Sequence, residues 1–264
     1  MSSFEIDYYA FLIQRLGELA LFSEPREGPI WKLQTLKDAL RAAWPRDGLV
    51  LELGVWKGNS LRLIAETLPD KDVYGFDSFE GFPEDGRVDW KMDLSRGGSL
   101  PAVPSNARLI KGYFDDTLPG FTEAHPGPVG LLHVDCDIYS STRTIFRALR
   151  NQIVPGTVII FDELINHRGF ENNEILAFYE FLREAGLDFE WLACHGRVLD
   201  FTTYVTQFER TPTKFRLWLA KGFEHEVAVR VTAGKPSSKD AHTAHRIAEA
   251  LAEMHPLQQP LRAA

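Results

Sequence analysis

The sequence predicts an α/β protein built on a mostly parallel sheet, and three observations predict it. Apolar runs of strand length recur through the middle of the chain. Segments with apolar residues at three- and four-residue spacing separate them, so strand and helix alternate. The runs are apolar almost throughout rather than at every second position, which suits strands covered by helices on both faces, a doubly wound arrangement.

The first 48 residues read as an N-terminal helical arm. In FEIDYYAFLIQRLGELALF, Tyr8, Phe11, Leu12, Ile13, Leu16 and Leu19 fall at helical spacing, and a second helix over residues 30 to 44 stops at Pro45. Such an arm can cover an active site or pair subunits, which points to a homo-oligomer, a dimer or larger. Strand candidates follow at 49 to 55 (LVLELGV), 72 to 79 (DVYGFDSF), 107 to 114 (ARLIKGYF), 129 to 137 (VGLLHVDCD) and 157 to 164 (TVIIFDEL). Between them SLRLIAETL, STRTIFRALRNQI and NEILAFYEFLREA carry helical spacing. Two more strands, 188 to 196 and 224 to 232, close the sheet at one edge, with 197 to 223 as an insertion. The sheet-bearing domain is thus 49 to 232, and 233 to 264 is a tail with one helix in DAHTAHRIAEALAEM.

At 264 residues the chain suffices for one large domain with appendages. A hydrophobic fraction of 44% and a charged fraction of 25% are those of an ordinary globular protein. The net charge of -8 argues against a nucleic-acid partner, whose phosphates call for lysine and arginine. Cys136 and Cys194 are the only cysteines, so a disulfide framework is not expected and a reducing compartment is. No apolar run reaches the roughly 18 to 20 residues that cross a bilayer, and MSSFEIDYYA lacks the pattern of a secretory leader. The expectation is a cytoplasmic protein with no membrane partner.

In an open sheet of this kind ligands bind beyond the carboxyl ends of the strands. Those ends carry Glu52, Gly54 and Gly58; Asp77; Gly112, Tyr113 and Phe114; Asp135 and Asp137; Asp162 and Glu163. The glycine pair lets backbone N–H groups approach a ligand, or simply makes a tight turn into a helix. Its spacing, ExGxxxG, is not the GxGxxG that cradles a pyrophosphate, and an acid beside a loose glycine turn suits a small molecule with a positive end and no phosphates. Asp77 is placed to accept from ribose hydroxyls or to cap the next helix. Asp135, Asp162 and Glu163 offer a hard divalent cation its oxygens, with Asn166 nearby, provided the chain turns between the last two. His167 is a candidate base, while His133 and Cys136 read as core.

LELGVWKGNS, GFDSFEGFP, KGYFDDTLP, LLHVDCDIYSST and GTVIIFDE, in this order, resemble the macrocin O-methyltransferase family of class I S-adenosylmethionine-dependent methyltransferases. The resemblance spans residues 49 to 185, with a weaker echo at 224 to 232. It implies a Rossmann-like, seven-stranded sheet, the class I methyltransferase fold, with an antiparallel last strand. It implies that Glu52, Gly54, Trp56, Gly58 and Ser60 surround the methionine portion of S-adenosylmethionine, that Asp77 holds the ribose beside Ser78, and that Gly112 and Phe114 border the adenine. It further implies Mg2+ on Asp135, Asp162 and Glu163, with Asp135 also beside the cofactor, and methylation of a hydroxyl on a sugar or other small natural product. Asp135 or His167 is then the catalytic base. Glu163 stands where the family often has aspartate, and the insertion matches no family element.

Three rivals follow: a metal-independent N- or carboxyl-methyltransferase, a nicotinamide-dependent oxidoreductase, and a non-catalytic scaffold. The aromatic residues Tyr8, Tyr9, Phe11, Phe22, Trp191, Phe201, Tyr204 and Trp218 read either as a lid over the acceptor or as core.

Overall fold

The computed structural model describes residues 2–23, 33–42, 47–83, 94–208, 222–223, 225–234 and 241–257. Seven strands form one sheet: β1 Leu49–Leu53, β2 Val73–Asp77, β3 Ala107–Lys111, β4 Val129–Val134, β5 Val158–Phe161, β6 Leu187–Ala193 and β7 Val227–Ala233. Their order is β3-β2-β1-β4-β5-β7-β6. The first five pair in parallel, and β7 runs antiparallel to both β5 and β6. This is the seven-stranded, mostly parallel, Rossmann-like sheet expected from the sequence, and its order reverses between β1 and β4, where such sheets open a ligand crevice.

The helices are α1 Ser3–Phe22, α2 Gln34–Ala42, α3 Asn59–Thr67, α4 Phe114–Ala124, α5 Tyr139–Ala148, α6 Glu174–Ala185, the single turn α7 Phe201–Thr203, and α8 Ala241–Met254. Side chains alternate across the strands, so each strand feeds two cores. Leu51, Leu132, Ile159 and Val229 pack on one side with Phe146 and Phe178 of α5 and α6. Val50, Leu131, Ile160 and Ala228 pack on the other with Leu36, Leu40, Leu61 and Ile64 of α2 and α3. Burial on both faces explains the continuous apolar runs.

The helix after β3 was not read from the sequence. The third strand ends at Lys111, not 114, because Gly112 leaves it at φ 144° and α4 begins two residues later. Phe114–Ala124 reads poorly as a helix because Pro119 and Gly120 lie inside it, and Asp115 and Asp116 in its first turn favour the amino end. The second helix is confirmed over Gln34–Ala42, while both of its expected ends, Trp218 and much of the insertion lie outside the described residues.

Helix α1 of the arm packs into the core, while Leu33 of the arm lines the cavity described below. Helix α1 starts on a Ser2 cap, whose Oγ accepts from the Glu5 N–H at 3.2 Å, and it buries Tyr8, Tyr9, Phe11, Leu12, Leu16 and Leu19 in the larger core. Tyr8 donates its hydroxyl to the Glu171 carbonyl at 2.7 Å and Tyr9 to the His255 carbonyl at 2.8 Å. These bonds tie α1 to the approach of α6 and the end of α8. Phe201 and Tyr204 belong to the same core. With these side chains in the core α1 is structural, so Leu12→Ala, which empties a fully buried site, should cost about 2–5 kcal/mol in urea unfolding. A loss under about 1 kcal/mol would mean that α1 is a detachable arm after all.

Candidate active site

The carboxyl ends of five strands stand in one row, held by the last rungs of the sheet. The Gly112 N–H donates to the Asp77 carbonyl (3.0 Å), Gly54 to Phe76 (2.9 Å), Asp135 to Leu53 (2.9 Å) and Asp162 to Val134 (3.0 Å). Gly54 has φ 99°, and a Cβ there would sit 1.7 Å from the Asp135 carbonyl oxygen. Only glycine lets the turn after β1 pass the end of β4.

Asp77 fastens that turn. Its Oδ2 accepts from the backbone N–H groups of Val55 (2.8 Å) and Trp56 (2.7 Å), and its Oδ1 from Phe79 (2.6 Å). Trp56 is thereby held at φ 46°, with the Lys57 ammonium 4.0 Å from the centre of its indole. Gly58, at φ 75°, is the N-cap of α3. The aspartate expected to hold a ribose is engaged first in building the loop.

A cavity of about 1040 Å³ opens over this row. Gly54, Trp56, Ser60, Asp77, Ser78, Gly112 and Phe114 line it, as do Asp135, Asp162 and Glu163. Strand β5 ends at Phe161, so the chain has left the strand by Asp162 and both neighbouring acids reach the same space. Ser78 is fixed by donating to the Gly81 carbonyl at 2.9 Å.

Several expected site residues stand elsewhere. Glu52 is fully buried and absent from the cavity wall; its Oε1 lies 2.8 Å from His133 Nδ1, because both side chains point to the α2–α3 face of the sheet. Gly58 also lies outside the wall. His167, taken as a base, is 3% exposed, with Nε2 3.1 Å from the Glu163 carbonyl and Nδ1 3.2 Å from that of Arg168, so it braces its own loop. Asn166 donates to the Arg197 carbonyl (2.9 Å) and accepts from the Leu199 N–H (3.1 Å), joining that loop to the segment after β6. Cys136 does read as core, with Sγ 3.3 Å from the Thr142 hydroxyl.

The sequence reading gave little weight to Asp137, which lines the cavity at φ 62°. An aspartate in the left-handed region at a cavity wall marks a position held against its preference. Arg143 and Arg147 of α5 also border the cavity, and only their one-turn spacing on a helix leading away from the acids hinted at it. Among the described residues, the group of His, Cys, Asp and Glu whose ligand atoms lie within 4.8 Å of one another is His133, Asp162 and Glu226. The expected trio Asp135, Asp162 and Glu163 shares a cavity but not so tight an arrangement.

Crowded acids shift one another. Burial first, then the carboxylates of Asp162 and Asp137, push the Asp135 pKa well above the usual range. Glu174, 1% exposed at the start of α6, is pushed well up by burial, then by Asp137, Glu163 and Asp162, with only partial relief from the Asp137 backbone. A carboxyl whose folded pKa exceeds its unfolded value contributes stability that is full below the ordinary glutamate pKa of about 4.3 and lost as pH rises. Glu174→Gln should therefore stabilise the protein more near pH 8 than near pH 4, measured by urea unfolding at both; equal effects would show that Glu174 is not raised.

Comparison with known proteins agrees with this geometry over part of the chain. Residues 51–164, less than half of the 264, match a family model described as a methyltransferase domain. Over 140 residues the chain is 32% identical to the 8-demethyl-8-(2,3-dimethoxy-alpha-L-rhamnosyl)-tetracenomycin-C 4'-O-methyltransferase of Streptomyces olivaceus, covering 44% of this chain and 52% of that one. Over 154 residues it is 28% identical to the mycinamicin III 3''-O-methyltransferase of Micromonospora griseorubida, covering 48% and 59%. The chain therefore spans little more than half the length of these curated relatives. The crystal structure of CalS11, a calicheamicin methyltransferase, superposes with a TM-score of 0.48 at 18% identity, over 83% of this chain and 91% of that one. The matched stretch runs from β1 to just past β5, so the methyltransferase-domain pattern coincides with the strands whose ends form the cavity.

Proposed function

We propose that this protein transfers the methyl group of S-adenosylmethionine to a hydroxyl of a sugar-bearing or other small natural product, with Mg2+ or another divalent cation at Asp135, Asp162 and Glu163. The observation that carries the reading is the single cavity that joins the glycine turn after β1 to the acids after β4 and β5. Both curated relatives are named as O-methyltransferases, one on a rhamnosyl-bearing tetracenomycin. The cavity, at about 1040 Å³, has room for a donor and an acceptor side by side.

The residues fit a sulfonium donor. The Gly54–Ser60 turn and Asp77 wall one side, and Gly112 and Phe114 at the start of α4 wall the next. The carboxylates of Asp135, Asp162 and Glu163 in the same cavity favour a donor with positive charge at its sulfur. The donor supplies an electrophilic methyl group, and Mg2+ when bound supplies Lewis acidity that lowers the pKa of an acceptor hydroxyl. Half-buried carboxylates on two adjacent strand ends are the oxygen donors such an ion takes.

The chain's own part is orientation and proton transfer. Holding acceptor and donor in line supplies several kcal/mol of the barrier. Asp135, whose pKa is raised by burial and then by Asp162, is a stronger base than an ordinary carboxylate and stands at the cavity, so it rather than the loop-bound His167 is assigned the hydroxyl proton.

Calorimetric titration with S-adenosylhomocysteine should show one site per chain, and NAD should show none; the reverse would replace the reading with an oxidoreductase. Asp135→Asn should cut turnover of a glycosylated acceptor by about 100-fold or more while S-adenosylhomocysteine still binds. Chelator should cost wild type its activity and leave nothing further to lose in Asp162→Ala. Full activity of Asp162→Ala in chelator would remove the metal from the proposal.

A further inference from the structure

The face of the sheet that carries Glu52 and His133 holds more charge than packing requires. Glu52 on β1 and His133 on β4 are opposite each other in register, and both are fully buried. Asp162 follows β5 and Glu226 precedes β7, each an even number of residues from a side chain of the same core, Ile160 and Ala228. One ligand atom each from His133, Asp162 and Glu226 lies within 4.8 Å of the others. Three carboxylates therefore meet one imidazole in a region where unpaired charge is costly.

The hydrogen bonding assigns a direction to that imidazole. Nδ1 is taken by Glu52 Oε1 at 2.8 Å, and Nε2, buried, has no hydrogen-bond partner. Nε2 is left as the atom His133 contributes to the group. A histidine that gives one ring N–H to a carboxylate and turns its other nitrogen toward carboxylates has the arrangement found around metal-bound histidines, where the outer acid fixes tautomer and ring orientation. Glu226 is likewise oriented, accepting the Leu36 N–H of α2 on Oε1 at 3.0 Å. Asp162 also lines the cavity, which gives an ion a way in.

We propose that His133, Asp162 and Glu226 form a site for a divalent transition-metal ion, with Glu52 as the outer carboxylate that orients the imidazole. One nitrogen and two carboxylates suit Mn2+, Fe2+, Co2+ or Zn2+ better than Mg2+, which takes oxygen and keeps its waters. A dication offsets the surplus negative charge, and Glu52 gains the role that its absence from the cavity wall denied it. The site shares only Asp162 with the set proposed for Mg2+ and does not rest on the methyl-transfer reading.

Mn2+ added to metal-stripped full-length protein in excess Mg2+ tests it, by equilibrium dialysis and pulsed EPR. The expected result is one tightly held Mn2+ per chain with nitrogen coupling from a histidine. Glu52→Gln should weaken it by about 10- to 100-fold, and Glu226→Gln by at least as much, while Asp135→Asn leaves it in place. Methyl transfer is not read in this experiment, so its outcome stands apart from the proposed activity. Wild-type protein that binds no Mn2+, or binds it without nitrogen coupling, overturns the proposal whatever the variants do. So does Mn2+ binding that is lost in Asp135→Asn and kept in Glu226→Gln.

Discussion

The whole site depends on a backbone contact that no side chain can occupy. Gly54 passes so close to the end of β4 that a methyl group would lie inside the Asp135 carbonyl. That closeness allows the sheet's hydrogen bonds to continue one residue past each strand, from Gly112 across to Asp162. A rigid row of strand ends fixes where the acids begin, and the loops have only to turn them. Asp77 then clamps the turn itself with three backbone N–H groups on one carboxylate, so the loop that meets a ligand is set before any ligand arrives.

From that row the acids divide by where the strand stops. While the chain is still in the sheet, alternation sends a residue to one core or the other, and Glu52 goes into the layer beneath α2 and α3. Once the chain has left the sheet, as at Asp135, Asp137 and Asp162, the side chain opens onto the cavity. Glu52 sits one residue before the end of β1 and Asp162 one residue after the end of β5. Two residues of register separate Glu52, buried against His133, from Asp162, which reaches both His133 and the cavity.

This explains what could be read from the amino-acid sequence. All seven strands and their alternation with helices were legible, because burial on both faces leaves long apolar runs and because antiparallel closure needs only two more strands after α6. Much of the cavity wall was legible from residues at or just past strand ends, such as Gly54, Asp135 and Asp162. Glu52 and His167 were not placed correctly, since their roles depend on partners 81 and 4 residues away whose positions follow from register and loop path rather than from local pattern. Glu226 escaped notice for the same reason: it joins His133 and Asp162 only after β7 has inserted between β5 and β6. Helix α4 was hidden by its own Pro119, and the arm read as a cover or a subunit contact because an amphipathic helix shows that it has a buried face without showing what covers it.

The charge across the cavity is arranged as firmly as its shape. Its floor is acidic, from Asp135, Asp137, Asp162 and Glu163, while Lys57, Arg143 and Arg147 stand on other parts of its wall. Arg143 is drawn toward Glu180 of α6 at 3.8 Å, a separation at which a half-exposed pair contributes little, so its charge remains available to the cavity. In the proposed reaction the acids are the part of the wall that favours a sulfonium centre, and the arginines of α5 the part that favours an anionic group on an acceptor. A nicotinamide dinucleotide would have to lay its pyrophosphate along the Gly54–Asp135 edge, where the carboxylates repel it.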